Sequence, residues 1–563
     1  MTSASILQLL NFEDTGDVMH RLRWPAAQLA KQNPELSILS LAASAVERHE
    51  LALKADLLFL VQSHDTSLLP IIRERKSKGL ITIVEYNDNF YCPPLVSSAT
   101  RVWSSPEIHK TYQDFMLAAD YLVTTCNQLK LLFKKRLGLD AKVLKNHFPY
   151  NLEAFEDVFR SPKDVIRIGW AGSLGHMPDL LAFLPKIEEL ILSNDRFHFW
   201  AMGNEAISRY VKLPKEKFVL LPWGNMEQYF SFWKQVDIGI SPMLDVPYNQ
   251  CRSDVKAIEM SAFGVVPVLQ DFDMYQEFSQ NTGISLVEDF SDIIEKIRNL
   301  EADRESLKTL ALQAYGYIND KRLGANNLER LEFYNSVLIK NNASNWTFPP
   351  GYHEMEGTKQ KEDQIYIAIK ETEAFLHAKK FNQALKKIQD ATDINQDNRD
   401  LAVAELKCLL ACQSSLAKKR YEFWTKKFPN DFRLKILGLR FMDQEKERAE
   451  KFLEVINAVR EAGDLEIEAR SQTIIGTVAA EIRNSNKFFY KVAEEVLKTY
   501  PKAYEIKLLL AQEYERLGNF EQALNYYQEI LEAQNIVQMS GNFLMQTDKA
   551  YISSWIAALE KRL

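Results

Sequence analysis

The clearest alternation of apolar and polar segments in the chain runs from residue 236 to residue 269. An apolar, β-branched run at 236–240 breaks at Pro242 into a polar loop. A second segment, 253–263, places apolar residues at helical spacing and ends before Gly264, where a new apolar run begins. Short apolar runs bounded by turn residues indicate strands, whereas a period near 3.6 residues indicates a helix. This stretch therefore predicts a strand, a loop, a helix and a second strand.

Similar apolar runs recur through the first 340 residues. Strands are expected at 5–12, within 55–65, 79–91 and 118–128, and at 166–170, 197–203 and 218–224, with a helix at 68–78 between two of them. Alternating strands and helices predict parallel sheets with helices on their faces. We expect two such α/β domains, at 1–155 and 156–340.

Polar and small residues follow several of the predicted strands. His64, Asn87 and Asp88 end two strands of the first domain, and Gly172 and Ser173 follow the first strand of the second domain. Ligands of parallel sheets bind beyond the carboxyl ends of the strands. Asp88 could therefore orient or deprotonate a substrate hydroxyl, or it could simply cap a turn. The small pair could let a phosphate approach the backbone.

The predicted helix that starts near residue 253 carries the strongest chemical signal. Ser253 or Asp254 can cap its first turn, and Arg252 and Lys256 add two cations beside the positive end of the helix dipole. Glu259 lies one turn beyond Lys256. A helix start with adjacent cations favours a phosphorylated, hydroxyl-rich ligand. The alternative is an ordinary βαβ segment with a solvated, charged helix start.

The last third of the chain has a different pattern. Residues 341–362 are rich in Asn, Pro, Gly and charge, which indicates a linker, and residues 363–563 show helical periodicity. Small and aromatic residues recur there at the spacing of tetratricopeptide repeats, at Ala511, Tyr514, Gly518, Ala523 and Tyr527, with a second copy at 375–391. An irregular helical solenoid is expected, with a helical bundle as the alternative. Solenoids commonly present a concave surface to a peptide.

Composition excludes several classes of protein. The 563 residues carry a net charge of −7 and are 46% hydrophobic, so a soluble multidomain protein without general nucleic-acid affinity is expected. No apolar segment is long enough to span a bilayer, and the first residues lack the basic flank of a secretory signal. The five cysteines are scattered without zinc-site spacing, so reduced thiols are expected. We therefore predict a cytoplasmic location.

The segment 236–269 resembles the donor-sugar signature of retaining GT-B glycosyltransferases of the family-4 type. That signature is a strand ending in Pro, a loop, a helix with E-x-x-A-x-G and a strand reading x-P-V, which Glu259, Ala262, Gly264, Pro267 and Val268 match. The resemblance covers roughly residues 1–340, strongly in the second domain and loosely in the first. It implies two Rossmann-like domains facing a cleft, closed by a long helix near 326–338.

The resemblance also implies roles for particular residues. Glu259 would bind the ribose of the donor, whereas Cys251 stands where the family usually has a second glutamate that contacts the sugar. Gly172, Ser173 and His176 would form the turn beneath the donor, and Trp223 would line the nucleobase pocket or pack in the core. The family's usual histidine is absent at Asn87 and Asp88, and a histidine occurs instead at His64. The family needs no metal or cofactor, and none is expected here.

The loop after the first strand lies beneath donor and acceptor in that family. Gly16 would then permit close backbone approach, and Arg21 or Arg23 could meet an anion. The alternative is that these arginines lie at the surface and pack on Trp24.

The expected function is transfer of a sugar from a nucleotide-diphospho-sugar, with retention, to a protein that the helical repeats recruit. A polysaccharide or lipid-linked acceptor is the alternative within this class. A non-catalytic GT-B scaffold, which Cys251 favours, and a sugar-nucleotide epimerase are the alternatives outside it. Because the cleft should be built wholly by residues 1–340, the helical region should be dispensable for donor binding unless it packs tightly on the other domains.

Overall fold

The computed structural model describes most of the chain, with gaps near the termini and between the α/β and helical regions. The described residues are 4–10, 16–43, 45, 47–92, 103, 106–160, 164–340, 346–348, 368–369, 371–372, 375–376, 379–429, 431–532, 537–540, 543–546 and 549–562. The predicted linker, 341–362, lies outside these residues except at 346–348.

The first domain is built on a six-stranded parallel sheet. Its strands are β1 (Ala4–Leu10), β2 (Leu36–Ala42), β3 (Leu57–Val61), β4 (Ile81–Glu85), β5 (Tyr121–Thr124) and β6 (Ala141–Val143), in the order β2-β1-β3-β4-β5-β6. Its helices are α1 (Gly16–Val18), α2 (Trp24–Gln32), α3 (Arg48–Ala52), α4 (Leu68–Ser77), α5 (Pro106–Ala118), α6 (Asn127–Leu137) and α7 (Phe155–Val158), and a π-helical turn, Met19–Arg23, joins α1 to α2. Strands β1 and β3 are buried along almost their whole length, as expected where helices cover both faces of a parallel sheet.

The second domain repeats this plan with a five-stranded parallel sheet. Its strands are β7 (Ile166–Gly172), β8 (Phe197–Gly203), β9 (Phe218–Pro222), β10 (Ile238–Ser241) and β11 (Val266–Leu269), in the order β11-β10-β7-β8-β9. Its helices are α8 (Met177–Ser193), α9 (Met226–Trp233), α10 (Pro247–Gln250), α11 (Val255–Ala262), α12 (Asp273–Thr282), α13 (Phe290–Ala302), α14 (Arg304–Tyr317) and α15 (Leu328–Lys340).

Helix α15 leaves the second domain and packs on the first. Its residues Tyr334, Val337 and Leu338 belong to the same apolar cluster as Ile6 and Phe59, and the ring centroids of Phe59 and Tyr334 are 5.9 Å apart. The long closing helix predicted near 326–338 is therefore present, and it ties the two domains together.

The last region is helical, with one exception. Its helices are α16 (Phe381–Ile394), α17 (Arg399–Ala411), α18 (Ala417–Lys427), α19 (Phe432–Gly438), α20 (Glu445–Ala462), α21 (Asp464–Arg483), α22 (Phe489–Thr499), α23 (Tyr504–Arg516), α24 (Phe520–Glu532) and α25 (Lys549–Glu560). An antiparallel hairpin, β12 (Val537–Ser540) with β13 (Phe543–Gln546), interrupts the series. The predicted repeat residues Ala511, Ala523 and Tyr527 are buried where α23 packs on α24, and Gly518, with φ +78°, makes the turn between these helices.

The helical region contacts both α/β domains. Helix α21 packs against α5 of the first domain, and both strands of the hairpin pack against α8 of the second. Arg399 on α17 also lies 3.5 Å from Glu107 on α5. The helical region is therefore not an appendage separate from residues 1–340, and its dispensability for donor binding stays a prediction.

The predicted architecture is confirmed: two Rossmann-like domains in the GT-B arrangement are followed by a helical region. Among the described residues, no helix has the length and apolar character that crossing a membrane requires.

Candidate active site

The candidate site forms where the carboxyl ends of the two sheets face each other, around the start of α11. Gly264 lies just after the end of α11. Its φ of +68° is the left-handed conformation expected of a glycine at a helix C-terminus. At the other end, Asp254 occupies the N-cap position without a side-chain hydrogen bond to the helix. Its carboxylate instead pairs with Arg322 at 2.7 Å, and Ser253 Oγ accepts from Asn146 at 3.0 Å. The expected side-chain cap is therefore wrong for both residues.

Glu259 is buried and is held from both domains. Tyr229 on α9 donates its hydroxyl to Oε2 at 2.6 Å, and Nε2 of His20, in the π-helical turn of the first domain, lies 3.0 Å from Oε1. Burial acts to raise the pKa of Glu259, but the hydrogen bond to His20 and the charge of Lys256 outweigh it and leave that pKa below its usual range. Glu259 is therefore an ionised carboxylate in an enclosed site.

Lys256 lies on the same side of α11 as Glu259. Its Nζ donates to the Tyr229 hydroxyl at 2.8 Å and lies 4.9 Å from the centre of the Tyr229 ring. Only 18% of the side chain is exposed, and burial lowers the pKa of the ammonium group. Lys256 is thus a largely enclosed cation.

Arg252 bridges the two domains. Its Nη1 donates to the Tyr248 hydroxyl at 2.7 Å and lies 3.4 Å from Oδ1 of Asp88, which belongs to the first domain. Its Nη2 contacts Nε2 of His176. Burial and the charges of Arg252 and Lys256 hold the pKa of His176 well below its usual value, so the imidazole is neutral and accepts this bond.

Asp88 lies just beyond β4 and faces the second domain. Its Oδ1 accepts from the Tyr248 hydroxyl at 3.0 Å. Burial raises the pKa of Asp88 to about 6, because it outweighs the opposing effect of Arg252 and is reinforced by the nearby Asp17. A carboxylate with a pKa near neutrality is suited to accept a proton from a substrate hydroxyl.

Asn87 and Asp88 belong to a buried polar network within the first domain. Asn87 donates to Asp17 Oδ1 at 2.9 Å and accepts from Gln62, and Gln62 also lies 3.4 Å from Asp88 Oδ2. Gln62 has φ +46°, in the left-handed region that non-glycine residues seldom adopt and that often marks a functional constraint. His64 lies exposed just after β3, and Gln62 is the residue of this strand end that contacts Asn87 and Asp88.

The turn after β7 is tightly packed. A Cβ at Gly172 would lie 2.6 Å from the Trp170 ring and 3.0 Å from His176. Glycine is thus required there by packing against protein atoms, whatever ligand the turn receives. Ser173 is exposed, and its carbonyl accepts from the His176 amide at 3.0 Å.

Trp223 follows β9 at the edge of the same site. It is 51% exposed, and its ring centroid lies 5.6 Å from that of Tyr229. It is therefore an exposed aromatic surface beside the Glu259 and Lys256 pair, rather than a core residue.

Cys251 and Arg21, two residues singled out from the sequence, are both buried. Cys251 is buried within the apolar cluster of the first domain, where burial raises the pKa of its thiol to about 12. Helix α10 and Cys251 pack into that domain, so the thiol lies in the interface between the two domains. Arg21 is also buried: it pairs with both oxygens of Glu85 and donates to Asn146 at 2.6 Å, which leaves it no role as a surface anion site.

Several site residues were not foreseen from the sequence: Asp17, His20, Gln62, Asp179, Tyr229 and Tyr248. Asp179, on the first turn of α8, accepts from the Leu244 amide at 2.9 Å and from Asn249 at 2.7 Å, which fixes the loop that carries Tyr248. The polar turn after β1 was a usable signal for Asp17 and His20. Tyr229 lies within helix α9, so the search for polar residues at strand ends did not indicate it.

Neither a protein-family model nor a curated protein matches this sequence. Solved structures do align with it. TarM has 12% identity and a TM-score of 0.40, with 50% of this chain and 54% of TarM covered. An O-GlcNAc transferase mutant from Thermobaculum terrenum has 12% identity and a TM-score of 0.40, with 60% and 68% covered. HepE of Anabaena, solved with UDP and glucose, has 10% identity and a TM-score of 0.43, with 59% and 99% covered.

The chain spans about half the length of TarM, 54% of which is covered. At such identities, with TM-scores below 0.5, these similarities identify no activity for this chain. The fold assignment rests on its own strand order, and the function must be argued from the site.

Proposed function

We propose that this protein is a retaining glycosyltransferase that takes its sugar from a nucleotide-diphospho-sugar and needs no metal or cofactor. The observation that carries the proposal is the convergence, in one interdomain cleft, of Arg252 and Lys256 at the uncapped start of α11 with the enclosed carboxylates Glu259 and Asp88. The family-4-like signature at 236–269 supports the same assignment and is the source of the retaining stereochemistry.

The donor diphosphate would lie at the start of α11. The helix offers backbone N–H groups that no side chain caps, and Arg252 and Lys256 add positive charge. Negative charge grows on the diphosphate as its bond to the sugar breaks, so preorganised cations here stabilise the transition state. Enclosure strengthens this effect because water no longer screens the charges.

Glu259 would hold the nucleotide ribose. A carboxylate has about four acceptor sites, and His20 and Tyr229 use one on each oxygen. Lone pairs therefore remain on both oxygens to accept from ribose hydroxyls. Trp223, exposed beside Tyr229, offers a flat surface for the base.

Asp88 would act on the acceptor. The acceptor oxygen forms a bond to the anomeric carbon while the diphosphate leaves with the electron pair of the old bond. The acceptor hydroxyl loses its proton in this step, and Asp88 would orient the hydroxyl or accept the proton. The acceptor we favour is a polypeptide held by the helical region, whose contacts with α5 and α8 keep it beside both α/β domains. Transfer to a polysaccharide or lipid-linked glycan is the alternative.

One observation favours a non-catalytic scaffold as a second candidate. Cys251 replaces the family's sugar-contacting glutamate and is buried in the domain interface, so this position offers no carboxylate to a donor sugar.

The test is a panel of nucleotide-diphospho-sugars titrated into the full-length protein by calorimetry, with release of nucleotide and isomerisation of the sugar followed in parallel. Binding with slow release of nucleoside diphosphate supports a transferase. Binding with isomerisation of the donor indicates an epimerase, and no binding indicates a scaffold. The Arg252→Ala and Lys256→Ala variants should each lose about tenfold or more in affinity; wild-type affinity in both would exclude the proposed diphosphate site.

A further inference from the structure

Helix α18 of the helical region has an outward face that is both basic and apolar. The helix contains five basic residues and one acidic residue, Glu422, in a protein whose net charge is −7. Its inner side packs through Ala417 and Trp424, which are buried, so the opposite side is left to solvent. None of its residues belongs to the cleft described above.

Four residues form a stripe along that outward face: Leu416, Lys419, Phe423 and Lys426. At 3.6 residues per turn they fall within an arc of about 80°. All four are exposed, Leu416 by 48% and Phe423 by 41%. Neither lysine has an ion-pair partner among the residues that the structure describes. Apolar and cationic side chains therefore alternate along the outer surface of α18, and we call these four residues the α18 stripe.

Neighbouring groups hold the Phe423 ring in its outward position. The Arg420 guanidinium lies 5.0 Å from the centre of the ring, and Arg420 is itself paired with Glu405 at 2.8 Å. The ring also packs edge-on against Trp424, with 4.8 Å between the ring centroids. An apolar ring that is already fixed at the surface loses little conformational freedom when it meets a partner.

The start of helix α16 lies beside the turn that leads into α18, and it has the same character. Phe381 is 41% exposed, and its carbonyl oxygen lies 3.8 Å from the thiol of Cys412, four residues before Leu416. Lys379 and Lys380 immediately precede Phe381 and are exposed. A further apolar side chain flanked by lysines therefore adjoins the α18 stripe.

The combination of charged and apolar groups indicates the chemistry of a partner. A nucleic acid or an acidic peptide would match the lysines but would leave Leu416 and Phe423 against polar groups. An anionic membrane offers phosphates and hydrocarbon at one surface, and each lysine held near such a surface is worth roughly fivefold in affinity. We propose that the α18 stripe docks this protein on an anionic lipid membrane.

The two kinds of side chain have separate roles in this docking. The apolar pair enters the boundary between the headgroups and the acyl chains, and the two lysines stay beside lipid phosphates. The proposal does not depend on the glycosyltransferase assignment, because the stripe and the cleft share no residue.

The test is co-sedimentation of the full-length protein with two kinds of vesicle, one of phosphatidylcholine alone and one of equal parts phosphatidylcholine and phosphatidylglycerol. The wild type should bind the anionic vesicles and not the neutral ones, and added salt should weaken binding because it screens the lysines. Lys419→Glu combined with Lys426→Glu should lower the partition coefficient at least about tenfold.

A second pair of substitutions tests the apolar side chains at constant net charge. Leu416→Gln combined with Phe423→Gln should lower the partition coefficient at least about fivefold, because less apolar surface leaves water. The melting temperature reports whether each variant is folded. If the pair does not fold, Leu416→Gln alone, at the more exposed of the two positions, replaces it.

A matched control lies on helix α14, where Lys308 and Leu312 are exposed and four residues apart. Lys308→Glu combined with Leu312→Gln should bind the anionic vesicles as the wild type does. Polyglutamate, added in place of the vesicles, tests the other class of anionic partner and should bind weakly or not at all.

Three results would overturn the proposal. One is a wild type that stays in the supernatant with the anionic vesicles, and another is a lysine variant or an apolar variant that sediments as the wild type does. The third is an equal loss in the α14 control, which would show a general charge effect. Binding to polyglutamate but not to vesicles belongs to the first result and would assign the lysines to an acidic protein surface instead.

Discussion

Glu259 and Asp88 are both enclosed carboxylates in one cleft, yet their pKa values move in opposite directions. Glu259 has His20, Tyr229 and Lys256 around it, which keep it ionised. Asp88 lies close to a second acid, Asp17, and burial dominates its titration. Different environments for two carboxyl groups commonly separate their roles. Here the different environments suit Glu259 to accept hydrogen bonds from ribose hydroxyls and Asp88 to accept a proton.

The role of Glu259 can be tested with ligands that differ only in the ribose. Glu259→Gln should weaken binding of a nucleoside diphosphate more than binding of inorganic diphosphate, because only the former presents ribose hydroxyls to the carboxylate. The difference should approach tenfold, the value of about one charge-assisted hydrogen bond. Calorimetry measures both ligands, with Lys256→Ala as a control that should weaken both alike. Equal losses in Glu259→Gln would remove the residue from ribose binding.

The pH dependence of turnover tests Asp88. Its pKa, about 6, lies above the ordinary value for aspartate, so the base form is absent well below pH 6 and accumulates as pH rises through that value. Donor hydrolysis or transfer should therefore increase with pH along a limb centred near pH 6. In Arg252→Ala the limb should move to higher pH, because the cation that lowers this pKa is lost.

Asp88→Asn should eliminate that limb and lower the rate by roughly 10²–10⁴-fold, the usual contribution of a general base. The measurement is kcat/KM against pH. An unchanged limb in Asp88→Asn would assign the titration to another group.

At the scale of elements, α11 is placed by a turn that only glycine suits. Gly264 has φ +68°, and a Cβ there would lie 3.1 Å from the backbone of Phe159. The turn leads directly into β11, whose register with β10 pairs Gly239 with Pro267. The direction of α11, and hence the position of its first turn in the cleft, depends on this turn.

Gly264→Ala should destabilise the protein by roughly 1–2 kcal/mol, the cost of a left-handed conformation for a residue with a Cβ. The matched control is Gly316→Ala in α14, where a Cβ meets nothing within 4 Å, and which should be neutral or slightly stabilising because alanine favours helices. Urea unfolding measures both. Similar midpoints for the two variants would contradict the role assigned to Gly264.

At the scale of the whole molecule, the helical region is part of one packed structure. Helix α8 buries apolar residues along much of its length, among them Leu180, Phe183 and Leu184, and the β12–β13 hairpin packs against it. The same helix begins beside His176, so the last region of the chain contacts an element that starts at the cleft.

Removal of residues from 363 onward should therefore do more than abolish recruitment of an acceptor. The truncated protein should expose the covered side of α8 and self-associate or bind donor more weakly. Size-exclusion chromatography and donor calorimetry distinguish the outcomes. A monomeric truncation with wild-type donor affinity would show that these contacts are dispensable, and its acceptor KM would then measure recruitment alone.

Local pattern alone was sufficient for the order of strands and helices in the two α/β domains. The strands and the helix of segment 236–269 were predicted from apolar runs at 236–240 and 265–269 and from the helical spacing between them, which involve only residues near in sequence. Strands β10 and β11 and helix α11 lie close to these predicted positions. Gly264 was equally readable, because its conformation is a local requirement. Asp88 and Glu259 could be selected as candidates because strand ends and helix starts are recognisable in one dimension.

The tertiary structure alone decided which of these candidates meet. His20 and Glu259 are 239 residues apart and Asp88 and Arg252 are 164 apart, and no periodicity relates such positions. Asp254 follows the cap pattern but pairs with Arg322, since a buried ion pair with a distant cation competes with a local cap. Cys251 lies in the domain interface for the same reason. The sequence determines which residues are near along the chain, whereas the packing of the two sheets and α15 determines which are near in space.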